Sequence, residues 1–147
     1  MKSKIHVSLI DKPAPLVTSH RLLLSQVLNS VIANAVEAMP GGGQLSIQAF
    51  PDLNGEWLDL IISDSGQGMS RQQEMMAFKS FYTTKQGGLG IGLIMVKQIM
   101  ERFDGKVSLT SREKEGTSVR LSFRVAEPVQ KTSEAGPDNA DSAEHMV

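Results

Sequence analysis

Asn34 is a polar residue inside an apolar helical pattern, where its amide could do chemistry. Gln26, Ser30 and Asn34 are spaced four apart and Glu37 follows three later, so these side chains share one stripe of a helix. The residues on either side of Asn34 are alanines, which would let a ligand approach closely. An amide oxygen is a neutral ligand for a hard cation such as Mg²⁺, which prefers oxygen donors and retains several waters. The alternative interpretation is an ordinary solvated helix face.

A second candidate is the sequence Asp64-Ser65-Gly66-Gln67-Gly68, directly after a predicted strand. Asp and Gly both favour turns, so a plain turn is one interpretation. In the functional interpretation, Gly66 and Gly68 let the backbone approach a flat ligand. The Asp64 carboxylate would then accept a hydrogen bond from an amino group of that ligand.

A third candidate is the glycine-rich sequence Gly88-Leu89-Gly90-Ile91-Gly92, which opens a helix predicted to run to about Phe103. Glycines before a helix N-terminus leave N–H groups and the positive end of the helix dipole pointing at an open space, which suits a phosphate. A helix that merely follows a flexible loop would look similar. No Lys-Ser/Thr pair follows, so this is not a Walker A loop, and no strand precedes it, so it is not a Rossmann fingerprint. Lys85 could supply a cation to the same phosphates.

The elements that must position these residues follow two periods. Alternating apolar residues predict five half-buried strands, and apolar residues at i, i+3, i+4 and i+7 predict two long helices. Ser19 is a plausible N-cap of the first helix, and residues 40–43, Pro-Gly-Gly-Gly, end it. The pattern predicts a two-layer α+β sandwich: a mixed, largely antiparallel sheet with the helices on one face. The predicted strands centre on residues 5–9, 45–49, 58–62, 107–109 and 119–125, and the helices on 24–35 and 93–103.

Two segments depart from this pattern. Residues 70–88 fit neither period and end in glycines, so we predict a mobile lid over the site at about 69–88. Residues 126–147 hold five acidic residues against one lysine and few apolar groups, which predicts a disordered acidic tail after a folded domain of residues 1–125. Because the tail carries −4 of a total charge of −1, the folded part is mildly basic, at about +3, which suits a small anionic ligand.

Composition excludes several classes of function. With no cysteine there can be no disulfide, thiolate metal site or cysteine nucleophile. The net charge of −1 favours neither nucleic acid nor an anionic membrane as a partner. No apolar run approaches the roughly 18 residues of a membrane span, and Met1-Lys2-Ser3-Lys4 has no apolar segment after it, so we expect a cytoplasmic domain without an export signal.

Taken in order, the motifs resemble the catalytic ATP-binding domain of sensor histidine kinases over about residues 5–125. The sequence Asn-Ala-x-Glu-Ala from Asn34, the Asp-x-Gly-x-Gly from Asp64, the Phe-x-x-Phe-x-Thr-Thr-Lys from Phe78 and the Gly-x-Gly-x-Gly from Gly88 match that family's four boxes. Gly116-Thr117 matches its usual ending, and the Thr-Thr-Lys form looks most like the nitrogen-regulation branch. The resemblance implies the ATP-binding fold that histidine kinases share with DNA gyrase, Hsp90 and MutL.

The resemblance also implies roles for individual residues. Asn34 would bind Mg²⁺, Asp64 would accept from the adenine amino group, and Gly66 and Gly68 would shape the adenine pocket. The phosphates would be held by residues of the third and fourth boxes: Thr84, Lys85, Gly88, Leu89, Gly90 and Gly92. Many of these kinases have a further Asn four residues before the metal ligand, whereas this chain has Ser30, with Asn29 displaced about 100° around the helix.

The implied reaction is transfer of the ATP γ-phosphoryl group to a histidine on a separate dimerisation domain, and through it to a response regulator. In gyrase, Hsp90 and MutL the position of Ser30 carries a glutamate base for water, so efficient ATP hydrolysis is disfavoured here. His6 and His20 lack the acidic context of a phosphoacceptor histidine and His145 lies in the predicted tail, so the acceptor is expected on a partner domain of a larger kinase. The alternatives are an anti-sigma-factor-like serine kinase and a regulatory module that binds ATP without transferring phosphate.

Overall fold

The fold is a five-stranded mixed sheet with its long helices packed on one face. The structure is a computed structural model that describes residues 4–10, 15–79 and 92–126. The strand order is β1-β2-β3-β5-β4, with β1 parallel to β2 and the other neighbours antiparallel. This confirms the predicted fold class. In chain order the elements are β1 (Ile5–Ile10), α1 (Arg21–Glu37), β2 (Gly43–Pro51), β3 (Trp57–Asp64), α2 (Arg71–Met76), α3 (Gly92–Arg102), β4 (Lys106–Arg112) and β5 (Gly116–Arg124).

The core forms between the sheet and two helices because each presents one apolar face. On β5 the alternate residues Val119, Leu121 and Phe123 are buried, as strand periodicity requires. Helices α1 and α3 contact each other and supply the other side of the core. Burial of these apolar side chains is the main stabilising contribution to the fold. The buried helical residues are Val27, Val31 and Ala35 of α1, with Val96, Ile99 and Met100 of α3.

The start of helix α1 and the burial of strand β1 differ from the sequence prediction. Helix α1 begins at Arg21, and its N-cap is His20, which makes no side-chain capping bond, rather than Ser19. Strand β1 was expected to be half-buried, yet Val7 and Leu9 are 64% and 67% exposed. The reason is that β1 is an edge strand which pairs with β2 alone, and the helical layer does not cover that edge.

The beginning of the predicted lid is regular structure instead of an irregular loop. Ser70 caps helix α2 with a reciprocal capping box: its Oγ accepts from the Gln73 backbone N–H, and the Gln73 side chain accepts from the Ser70 N–H. The Glu74 carboxylate accepts from the Ser111 backbone N–H at 3.3 Å, which ties α2 to β4. Within the predicted lid, residues 71–76 are therefore helical. The rest of the predicted lid, residues 80–88, and the acidic tail from residue 127 lie outside the described residues.

Candidate functional site

Asp64 is held in a fixed position at the end of the central strand β3. Its backbone pairs in register with Leu45 of β2 and Thr117 of β5. Its Oδ1 accepts from the Gly66 N–H at 2.9 Å and from the Thr117 N–H at 3.3 Å. In the described part of the chain both hydrogen bonds to this carboxylate use Oδ1, which leaves Oδ2 available for a further donor. A ligand amino group is such a donor.

The surroundings of Asp64 disfavour its charge. Burial raises the pKa of the Asp64 carboxyl above its usual value of 3.8, and the N–H groups of Gly66 and Thr117 oppose that rise. A half-buried carboxylate with one oxygen already satisfied gains most from a donor at the second oxygen, because partial removal from water strengthens such a bond. The geometry therefore suits recognition of an N–H donor.

Gly66 and Gly68 allow the loop after β3 to pack against other parts of the chain. A Cβ at Gly66 would lie 2.5 Å from the backbone oxygen of Ala38, the C-cap residue of α1. A Cβ at Gly68, where φ is +65°, would collide with the backbone oxygen of Arg112. The Gln67 N–H between them donates to the Ala38 oxygen at 3.1 Å. The hydrogen that occupies the Cβ position of each glycine therefore faces protein backbone, and the role of both glycines in shaping an adenine pocket stays a prediction.

Gly68→Ala is expected to lower the free energy of unfolding by at least about 2 kcal/mol, because a collision with backbone adds to the strain of positive φ. Gly55→Ala is the matched control: its φ is +69° and nothing lies within 4 Å of the added Cβ. It should cost only about 1 kcal/mol. Urea unfolding of both variants makes the comparison, and equal losses would show that the contact with Arg112 does not require glycine.

Gly92, the last glycine of the glycine-rich motif, lies beside the polar side chains of helix α1. A Cβ at Gly92, the first residue of α3, would lie 3.1 Å from Ser30 Oγ and 4.0 Å from Asn34 Nδ2. The Ala38 N–H donates to the Asn34 backbone oxygen at 3.0 Å, so Asn34 is one helical turn from the contact with Gly66. The N-terminus of α3, the polar stripe of α1 and the loop after Asp64 therefore line one region of the molecule.

The rest of the predicted phosphate-binding set cannot be placed in this region. Thr84, Lys85, Gly88, Leu89 and Gly90 lie outside the described residues, so their roles stay predictions.

Thr117 and Ser111, which the sequence did not single out as part of the site, support the loop after Asp64. Thr117 contributes the second N–H to Asp64, and Ser111 Oγ accepts from the Met69 N–H at 2.8 Å and bonds Thr117 Oγ1 at 2.7 Å. Gly116 has φ +117°, and a Cβ there would collide with the Asp64 backbone oxygen. The signal for this contact was the Gly116-Thr117 pair itself, whose glycine marks a close backbone approach.

Asn34 offers an amide oxygen that suits a hard cation. Within residues 4–10, 15–79 and 92–126 no three His, Asp or Glu side chains are grouped closely enough to hold a metal on their own. An amide oxygen at Asn34 fits Mg²⁺, which commonly takes one or two protein ligands and completes its shell with phosphates and water.

Comparison with known proteins agrees with this geometry. A family model described as "Histidine kinase-, DNA gyrase B-, and HSP90-like ATPase" matches residues 19–127. The chain belongs to this ATPase family. It is 30% identical over 131 residues to sporulation kinase E of Bacillus subtilis, covering 89% of this chain and 17% of that protein. It is also 30% identical over 104 residues to the putative sensor histidine kinase NtrY-like of Rickettsia conorii, covering 71% of this chain and 17% of that protein.

Solved structures show the same ATPase-family fold. The mycobacterial sensor histidine kinase MprB aligns with a TM-score of 0.71 at 21% identity, covering 85% of this chain and 83% of that one. The catalytic domain of histidine kinase ThkA aligns with a TM-score of 0.72 at 23% identity, covering 84% and 82%. The resemblance inferred from the motifs is therefore confirmed, and this chain spans less than a fifth of the two curated relatives named above.

No helix in the part of the chain that the structure describes has both the length and the apolar character needed to cross a bilayer.

Proposed function

We propose that this chain is the Mg·ATP-binding catalytic domain of a sensor histidine kinase. It would transfer the γ-phosphoryl group to a histidine on a separate dimerisation domain, and through it to a response regulator. The observation that carries the proposal is the convergence of Asp64, Asn34 and Gly92 on one region of an ATPase-family fold. The similarity to sensor kinases over most of this chain supports the same assignment.

In this proposal each side chain has a separate task. Asp64 Oδ2 accepts from the adenine amino group, while Oδ1 stays bonded to Gly66 and Thr117. Asn34 would hold Mg²⁺ through its amide oxygen, and a cation held there would supply positive charge beside the phosphates. The N–H groups at the start of α3, together with Lys85, orient those phosphates from the other side.

The transfer itself needs little from the protein beyond positioning. The lone pair of a neutral imidazole nitrogen forms a bond to the γ-phosphorus as the bond from that phosphorus to the β–γ bridging oxygen breaks. ADP leaves with that electron pair, and the imidazolium proton passes to solvent. Ser30 stands on the stripe of Asn34, and its hydroxyl is not a general base at neutral pH, so water is not activated at that position.

A transfer assay tests this proposal. The protein is incubated with Mg²⁺ and γ-labelled ATP, with and without a histidine-bearing dimerisation domain from a sensor kinase. We expect label on that domain that is lost in acid and stable in base, as a phosphoramidate is. Acid-stable label on a serine would favour the serine-kinase alternative. Tight ATP binding without transfer to any of several dimerisation domains would favour a regulatory module.

A further inference from the structure

The sheet face opposite the helices carries an excess of positive charge. Since Val119, Leu121 and Phe123 of β5 point toward the helices, their neighbours Arg120 and Arg124 point away. By the same alternation Lys106 of β4 and Trp57 and Asp59 of β3 lie on this open face. Both long helices, α1 and α3, contact each other on the opposite side. The three cations and Trp57 form what we call the basic sheet face.

Trp57 holds two of these cations in place. Lys106 Nζ lies 4.6 Å from the centre of the indole ring, and the Arg124 guanidinium lies 4.4 Å from it. Both distances are within the range of cation–π attraction. The negative face of an aromatic ring thus keeps two like charges close together, where they would otherwise repel.

Few carboxylates of the described residues offset this charge. Asp59 lies 4.0 Å from Arg120, whose side chain is 55% exposed, and it also accepts from Ser122 Oγ at 2.5 Å. No carboxylate among the described residues lies within 4 Å of Lys106 or Arg124. The second ion pair among these residues joins Arg112 to Glu115, at the far end of β4. An anionic group would therefore gain from contact with this face.

The acidic tail leaves the domain at the same end of the sheet. Strand β5 ends at Arg124, the Val125 N–H donates to the Glu56 oxygen at 2.9 Å, and the Ala126 N–H donates to the Leu16 oxygen at 2.8 Å. The chain is thus fixed two residues beyond Arg124. Residues 127–147 follow, with five carboxylates and one lysine.

The tail is long enough to cover the face. A random-coil chain of 21 residues would have a root-mean-square span of about 25 Å, and five strands spaced about 4.8 Å apart make a sheet about 20 Å wide. Attachment at residue 126 gives the tail a local concentration in the millimolar range, so weak ion pairs are enough to hold it.

We propose that residues 127–147 dock on the basic sheet face, with their carboxylates against Lys106, Arg120 and Arg124. Charges on exposed groups attract over about 20 Å at low salt but over only about 4 Å at 0.5 M, so docking must weaken with salt. The contact is independent of the nucleotide site, which lies at the opposite end of β3, by Asp64.

Paramagnetic NMR on the full chain tests this docking. The sequence has no cysteine, so Ser142→Cys gives a single attachment point for a nitroxide in the tail, and Trp57 is the one tryptophan, so its indole N–H signal is unambiguous. At about 20 mM salt the Trp57 indole signal should lose half or more of the intensity that it has in a sample whose nitroxide has been chemically reduced. About 0.5 M salt should restore that intensity. Amides of α1 should be affected less than those of β4 and β5.

Matched variants locate the charges responsible. Lys106→Glu with Arg124→Glu should abolish the broadening, whereas Arg71→Glu with Lys79→Glu, the same charge change at exposed positions in and just after α2, should leave it intact. Neutralising the tail should also abolish it. That variant carries Glu127→Gln, Glu134→Gln, Asp138→Asn, Asp141→Asn and Glu144→Gln.

Several results would overturn the proposal. The charges of this face do not hold the tail if the broadening is independent of salt concentration or persists when the tail is neutralised. The same conclusion follows if the broadening is strongest on α1 and α3. Contact between copies is detected by mixing spin-labelled protein at natural isotope abundance with ¹⁵N-labelled protein that carries no nitroxide. Broadening of equal size in that mixture would assign the contact to a second copy instead.

Discussion

Asp64→Asn is expected to weaken ATP binding about ten- to a hundred-fold while leaving the fold intact. The amide keeps an oxygen that can accept from Gly66 and Thr117, as Oδ1 does now. With its oxygen at the Oδ1 position, the amide presents its NH₂ group at the Oδ2 position, where it faces the adenine amino donor. Titration calorimetry with ATP measures the loss, and unchanged affinity in a folded variant would remove Asp64 from the site.

The same substitution is expected to change how stability depends on pH. Because burial raises the pKa of Asp64, the folded protein retains this proton to higher pH than the unfolded chain, whose pKa is near 3.8. Between those two values the folded state binds more protons, so this group makes stability fall as pH rises. An asparagine side chain at this position does not titrate, so the stability of the variant should lack this group's decrease with rising pH. Urea unfolding of both proteins from about pH 4 to pH 7 gives the difference.

Asp64→Ala is the control that separates recognition from structure. It removes the acceptor for two backbone N–H groups, so it should lower the free energy of unfolding by about 1 to 3 kcal/mol, which Asp64→Asn should not do. GTP tests the direction of the hydrogen bond, because guanine carries a carbonyl where adenine carries its amino group. We expect the parent protein to bind GTP more weakly than ATP and Asp64→Asn to discriminate less between them.

The sheet was predictable from the sequence because its pattern is local and repeated. Alternation of apolar residues along residues 119–125 identifies β5 and the face it buries without knowledge of its neighbours. The same alternation along residues 5–9 predicted burial for Val7 and Leu9, which are exposed, since an edge position depends on strand order rather than on the strand's own sequence.

The sequence supplied the residue types of the candidate site but not their contacts in the fold. Helix α2 was missed because six residues give too little periodicity, although Ser70 followed by Gln73 carries the capping signature. For Gly66 and Gly68 the sequence indicated a close approach and could not say to what. The answer, Ala38 and Arg112, depends on where α1 ends and how β4 turns into β5.

Asn34→Ala is expected to lower phosphoryl transfer by about a hundred-fold or more, because a lost metal ligand removes several kcal/mol of charge stabilisation from the transition state. Adenosine binding should change by less than about twofold, since adenosine has no phosphates to bring the metal. Asn34→Asp, which keeps an oxygen ligand but places a negative charge beside the phosphates, should also lower transfer. The comparison of transfer rate with adenosine affinity is therefore the measurement.

Asn29→Ala is the matched control for this prediction. Asn29 is on the same helix but exposed, and it lies about 100° around the axis from Ser30, so it should leave both transfer and adenosine binding unchanged. Binding of a non-hydrolysable ATP analogue with and without Mg²⁺ gives a second readout that does not need an acceptor domain. In the parent protein Mg²⁺ should strengthen that binding, and in Asn34→Ala most of the gain should be lost. Equal transfer at saturating Mg²⁺, or an undiminished effect of Mg²⁺ on analogue binding, would show that the metal is held elsewhere and that the polar stripe of α1 is only a solvated face.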